Sequence, residues 1–232
     1  MLNFFKRALF PERCLGCFAW DTLLCRVCAR LLLAPGSLSA GDAAADAANT
    51  ASAIAPLTSL SWFMSYELEP VRVLIQQLKF HGVQRLARKI IYPPWPPVGI
   101  DDFRAGAVLM PIPLHPMRLR ERGFNQSVLI AQTLASQYRV PLLDSVLVRR
   151  KNTVPQSSLS HDARPGNVSG AFALRCPVPA RVQRVIFVDD VWTSGSTIKE
   201  AARVVRSSSS CLVSGLVIAY AGDHGGDHLD TH

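Results

Sequence analysis

Residues 185–197 read V-I-F-V-D-D-V-W-T-S-G-S-T. Asp189 and Asp190 close a short apolar run of the kind a buried parallel strand shows. Behind Val191 and Trp192 come Thr193, Ser194, Gly195, Ser196 and Thr197, which supply hydroxyls and one glycine. Ile198, Ala201, Ala202, Val204 and Val205 then recur at helical spacing, with Ser196 or Thr197 placed as the cap. A tight turn at a helix N-terminus aims free amide hydrogens at one spot, where the helix dipole adds positive potential, so a phosphate fits there. The carboxylates repel that phosphate and suit a neighbouring polyol, such as ribose hydroxyls, or a hydrated Mg²⁺. A ligand with a terminal phosphate, a diol and a metal-bound diphosphate satisfies the whole stretch. Two plainer readings exist: aspartates that merely cap a turn, and a Walker B strand. The second needs a Gly-Lys pair, which occurs nowhere in the chain.

Cys14, Cys17, Cys25 and Cys28 form C-x2-C-x7-C-x2-C. Each pair is a thiolate knuckle, and two knuckles complete a tetrahedron around a structural Zn²⁺. Redox chemistry or a decayed site are the alternatives, and metal would supply the folding energy of so small a piece. Cys176 and Cys211 read as packing residues. A third group, Arg118, Arg120, Arg122 and Gly123, lies in a loop between an apolar strand over 107–113 and a helical pattern from Ser127 to Tyr138. Planar cationic forks there suit a diphosphate, and a solvated basic loop is the bland counterpart. Lys79 and His81 face a ligand or simply favour a helix C-terminus.

The elements that must hold these groups follow from length and patterning. The chain has 232 residues, 49% of them apolar and 18% charged, with a net charge of +8. That composition makes a globular α/β protein whose partners carry phosphate. We expect residues 1–33 as a zinc-binding module, 34–56 as a flexible Ala/Ser/Gly linker, 57–222 as the main domain and 223–232 as a disordered histidine-rich tail. Within the main domain the pattern predicts a strand over 57–66, helices over 70–80 and 83–91, a proline connector at 93–97, and strands at 146–150 and 212–220. The fold predicted is a mostly parallel sheet flanked by helices, with the ligand beyond the carboxyl ends of the strands. No apolar run reaches the length of a membrane span, and the N-terminal apolar stretch is broken by Lys6 and Arg7, so a cytoplasmic protein is expected.

V-D-D-V-x-T-S-G-S-T resembles the 5-phosphoribosyl-1-pyrophosphate (PRPP) motif of type I phosphoribosyltransferases. P-x-P-L-H-x-x-R-x-x-x-R-G-F-N-Q, together with the paired C-x2-C and the R-x-x-x-T-x-x-Q-x-x-L…R-x-x-N pattern at Arg149, Thr153, Gln156, Leu159, Arg164 and Asn167, resembles the ComF/GntX branch of that superfamily. The resemblance implies that Asp189 and Asp190 contact the ribose hydroxyls and that Thr193 to Thr197 wrap the 5′-phosphate. Val191 and Trp192 fall inside the same PRPP-binding stretch, and Arg164 lies on a mobile loop that closes over substrate, with His161 a candidate acid or base. It further implies phosphoribosyl transfer to an unknown acceptor with loss of diphosphate, aided by Mg²⁺. The ComF branch is associated with DNA uptake, so it implies a second role as well: binding single-stranded DNA, with the PRPP pocket regulatory or vestigial.

Overall fold

The computed structural model describes residues 13–14, 16–20, 22, 24–33, 35–39, 52–80, 103, 106–152 and 168–222. The expectations for a helix over 83–91, the proline connector, His81, the loop carrying Arg164 and His161, and the histidine-rich tail lie outside those residues.

Five strands make one sheet in the order β1-β2-β7-β6-β3. They are β1 (Gly36–Ser39), β2 (Ser59–Ser65), β3 (Ala107–Pro111), β6 (Arg184–Trp192) and β7 (Leu212–Tyr220). β2, β7, β6 and β3 run parallel, and β1 joins β2 antiparallel at the edge. The parallel strands are buried on both faces, which is why they read as unbroken apolar runs rather than alternations. Val185 to Val188 are all buried, and so are all five residues of β3. Two further strands, β4 (Leu147–Arg149) and β5 (Phe172–Leu174), pair antiparallel as a separate ribbon.

Two apolar clusters flank the sheet. One gathers α1 (Arg26–Leu32), α2 (Glu69–Phe80) and α4 (Gln126–Tyr138) through Leu32, Leu74, Leu78 and Ile130. The other gathers α5 (Ser196–Arg206) with β4 and β5 through Ile198, Val205, Leu147 and Phe172. Helices thus cover both faces, as the sequence predicts. Fully burying side chains such as Phe63, Phe187 and Leu74 contributes about 1.5–3 kcal/mol each.

Residues 36–39, placed in a linker by their small side chains, form an edge strand instead. Gly36 lets the backbone lie on the Trp62 ring: a β-carbon there would sit 2.2 Å from Cζ2. The cysteine module is not set apart either. Cys14, Leu24, Cys28 and Leu32 belong to the same apolar cluster as Val71, Leu74 and Leu78.

Candidate functional site

β6 runs past its two aspartates to Trp192, paired with β7 as far as Trp192 opposite Tyr220, with Asp190 skipped in the register. On the other side β3 ends at Pro111, opposite Val188, so Asp189 and Asp190 stand where one neighbour has left the sheet. That is the crevice in which open α/β sheets bind ligands. The first turn of α4 reaches into it. Asn125 caps that helix by accepting from the Ser127 N–H, and its side-chain amide donates to the Ile112 carbonyl at 2.9 Å, which fixes the approach. Ser127 Oγ donates to Asp189 Oδ1 at 2.8 Å, and the Asp190 N–H donates to the same oxygen at 3.0 Å. Gln126 Nε2 donates to Asp190 Oδ2 at 3.2 Å, and Lys79 Nζ, from the end of α2, lies 3.8 Å from that oxygen.

Burial pushes the Asp189 carboxyl up to about 7, and the Asp190 charge adds to the rise; Ser127, the Asp190 N–H and Lys79 pull the other way. An acidic pair this close resists holding two charges at once. It is therefore poised to release or take a proton near neutrality, or to accept a hydroxyl or cation that settles both charges.

The turn after the pair departs from expectation in one respect. Neither Ser196 nor Thr197 caps α5; Gly195 does, in the left-handed region at φ 69, with no side-chain hydrogen bond at the cap. Packing sets this choice, because a β-carbon on Gly195 would lie 2.1 Å from Trp192 Cζ2. Trp192 is buried, so the glycine is pressed on a fixed ring. Thr193 and Ser194 are exposed, and Ser194 Oγ lies 3.1 Å from Ser196 Oγ. Lys199 Nζ donates back to the Ser194 carbonyl at 3.3 Å. A helix N-terminus without a side-chain cap, lined by hydroxyls and one ammonium, has the donors an anion needs.

The arginines expected on a loop lie on a helix, α3 (Pro116–Arg122). His115 caps it, Pro116 opens it, and Gly123 closes it at φ 78. Arg120 and Arg122 fall in its last turn, where cations complement the dipole. Arg118 and Asp189 both act on the field at Arg149, whose guanidinium burial holds below its usual range. Among the described residues no ion pair joins Arg120 or Arg122 to the acidic pair. Arg149 also lines a groove of about 610 Å³ with Leu119, Phe124, Asn125, Val128 and Leu147.

At the N-terminus the four cysteine sulfurs lie within 4.8 Å of one another. Cys17 Sγ and Cys25 Sγ are 3.7 Å apart, against about 3.8 Å between thiolates tetrahedrally bound at 2.3 Å to zinc. The Cys25 and Cys28 amides donate to Cys14 Sγ and Cys25 Sγ, both at 3.3 Å. Burial pushes the Cys14 thiol up, but the Cys25, Cys17 and Gly16 N–H groups outweigh it and hold the thiol at about 6. Cys28 is driven up by burial and by the neighbouring sulfurs. Four thiols that share charge unevenly in this way are matched by one divalent cation, and the cluster can hold a metal ion such as zinc. Cys176 is exposed and Cys211 buried; neither joins it.

The chain is 32% identical over 155 residues to "Competence protein F" of Haemophilus influenzae, covering 62% of this chain and 65% of that protein. It is 30% identical over 148 residues to "DNA utilization protein YhgH" of Escherichia coli K12, covering 62% and 64%. "Competence protein ComFC" of Bacillus subtilis matches at 31% over 100 residues, 41% of this chain and 37% of that protein. These similarities support the resemblance to the ComF family. It spans less than two thirds of the length of each of these relatives. No family model matches it.

Of the residues the ComF resemblance singled out, the acidic pair and the following turn stand together at the end of β6, while Arg118 lies on α3. The acidic pair's own partners, Gln126 and Ser127, were not picked out from the sequence. Their signal was present in R-G-F-N-Q-S, where an asparagine cap must aim the next two residues at whatever faces the helix start. Among the described residues no helix is long and apolar enough to cross a membrane.

Proposed function

We propose that this chain is an accessory of DNA uptake that binds single-stranded DNA on the cytoplasmic side, with a zinc-stabilised N-terminus. In this reading the Asp189–Thr197 site takes a phosphorylated ribose, PRPP with Mg²⁺, as a regulatory ligand. The relatives named for competence and DNA utilization carry the reading. The net charge of +8 and the half-exposed to exposed Arg118, Arg120 and Arg122 on α3 support a phosphate-backbone partner. The test is fluorescence anisotropy with a labelled oligonucleotide across salt concentrations. Affinity should fall steeply with salt, and Arg120→Ala should weaken binding and flatten the slope. Binding that ignores both salt and Arg120 overturns it.

One observation favours a second reading, a phosphoribosyltransferase. A carboxyl held near neutrality, in a pair whose other member, Asp190, has Lys79 Nζ at 3.8 Å, is the kind of group acid–base chemistry uses. Asp189 and Asp190 would orient ribose, the α5 N-terminus would anchor its phosphate, and Arg118 with Arg164 would draw off the departing diphosphate. Release of diphosphate from PRPP with a panel of bases and amines, lost in Asp190→Asn, identifies it; no release with any acceptor rejects it.

A further inference from the structure

We propose that the cysteine knuckle displays Phe18 and Trp20 as a stacking platform for the bases of single-stranded DNA, with Arg13, Arg26 and Arg30 on its phosphates. This rests on the single-strand reading above and adds where on the chain the bases go.

Phe18 follows the second cysteine of the first knuckle and sits at φ 60, in the left-handed region. Its N–H donates to the Cys14 carbonyl at 2.9 Å, and the Cys14 N–H donates to the Ala19 carbonyl at 2.8 Å. That turn around the metal site imposes the backbone conformation. Glycine adopts it freely, whereas a bulky side chain is disfavoured there. Burial does not compensate, because Phe18 is 67% exposed. A strained backbone residue holding a large ring in water is a pattern that marks functional surfaces.

Trp20, two residues on, is 57% exposed and bridges back to Arg13. The Arg13 guanidinium lies 3.9 Å from the Trp20 ring centroid, which fixes the indole and places a positive charge beside it. On α1, Val27 and Leu31 are exposed one turn apart, as are Arg26 and Arg30. The described residues between 13 and 33 include these three arginines and no carboxylate, and residues 1–33 carry five cations against Glu12 and Asp21. Charge complementarity therefore favours a polyanion, and two exposed aromatic rings, one of them backed by Arg13, favour one whose bases are unpaired. Base–aromatic stacking with arginines along the backbone is how sequence-tolerant single-strand sites are built.

The experiment compares the full-length chain and its variants on an oligo-dT and on an abasic oligomer of equal length and charge. Phe18→Gly suits the left-handed backbone better than phenylalanine, so the knuckle keeps its fold; Trp20→Leu is the second variant. Each should weaken oligo-dT binding by about tenfold, leaving the abasic oligomer and the salt slope unchanged. An equal loss on both oligomers, or no loss on either, overturns the platform. Full affinity for oligo-dT in the double variant overturns it while leaving the single-strand reading standing. Failure of the unmodified chain to bind either oligomer overturns both. If the variants lose binding to anionic vesicles but not to oligo-dT, the surface is a lipid site and the proposal is wrong.

Discussion

A glycine and an aspartate decide most of what happens at the end of β6. Gly195 combines a left-handed φ of 69 with contact against the buried Trp192 indole. Gly195→Ala meets both penalties, strain and overlap, and should lower unfolding free energy by about 2–4 kcal/mol. Chemical denaturation measures it, and the Trp192 emission should shift as the ring is displaced. Asp189 predicts a pH dependence. Its folded carboxyl titrates near 7, above the ordinary carboxylate range, so the native chain holds a proton that the unfolded chain has already lost. Stability contributed by this group is present at low pH and fades as pH rises toward and through 7. Asp190, Lys79 and Arg149 are the charged groups acting with it. The melting temperature of the native chain minus that of Asp189→Asn should therefore fall between about pH 5 and pH 8. A difference that stays flat across that range contradicts the assignment.

At the scale of elements, legibility tracked how far a segment's neighbours dictate its form. The runs that became β2, β3, β6 and β7 are long and apolar, and burial on two faces leaves them little choice. The helices α2, α4 and α5 were legible for the related reason that one stripe must meet the sheet. Two short elements were not. α3 has no buried residue, so no apolar stripe announces it; its signals are the His115 cap, Pro116 and Gly123. β1 was hidden because Gly36, Ser37 and Ser39 look like linker, and only the Trp62 ring explains the glycine. The candidate site was legible to the same degree. The acidic pair and turn stand in one contiguous stretch, while Lys79, Gln126 and Ser127 reach it from two other elements. Gly36→Val follows from this: a side chain there must push the strand off the indole. We expect a loss of about 1–3 kcal/mol and faster hydrogen exchange along Ser37–Ser39 and their β2 partners.

For the whole molecule, the decisive question is whether the cysteine cluster is an appendage or part of the core. A module on a flexible tether would melt on its own, and removing its metal would leave the main unfolding transition where it was. The packing says otherwise. Cys14 and Cys28 are buried and share an apolar cluster with Leu24 and Leu32 of their own stretch, Val71, Leu74 and Leu78 of α2, and Ile218 of the central sheet. β1 then ties the same segment to β2 by backbone hydrogen bonds. Metal binding free energy is folding free energy for whatever unfolds with the ligands, so a metal held by these cysteines would stabilise the sheet as well. Stripping the metal with a chelator, or replacing Cys14 and Cys17 together by serine, should lower the melting temperature of the entire chain in one transition, by several degrees or more. Gly16→Ala should act in the same direction, because its β-carbon would lie 2.7 Å from Cys28 Sγ. Calorimetry separates the cases: two resolved transitions, with the larger one indifferent to chelator, would show that the knuckle hangs free and that its contact with α2 carries no stability.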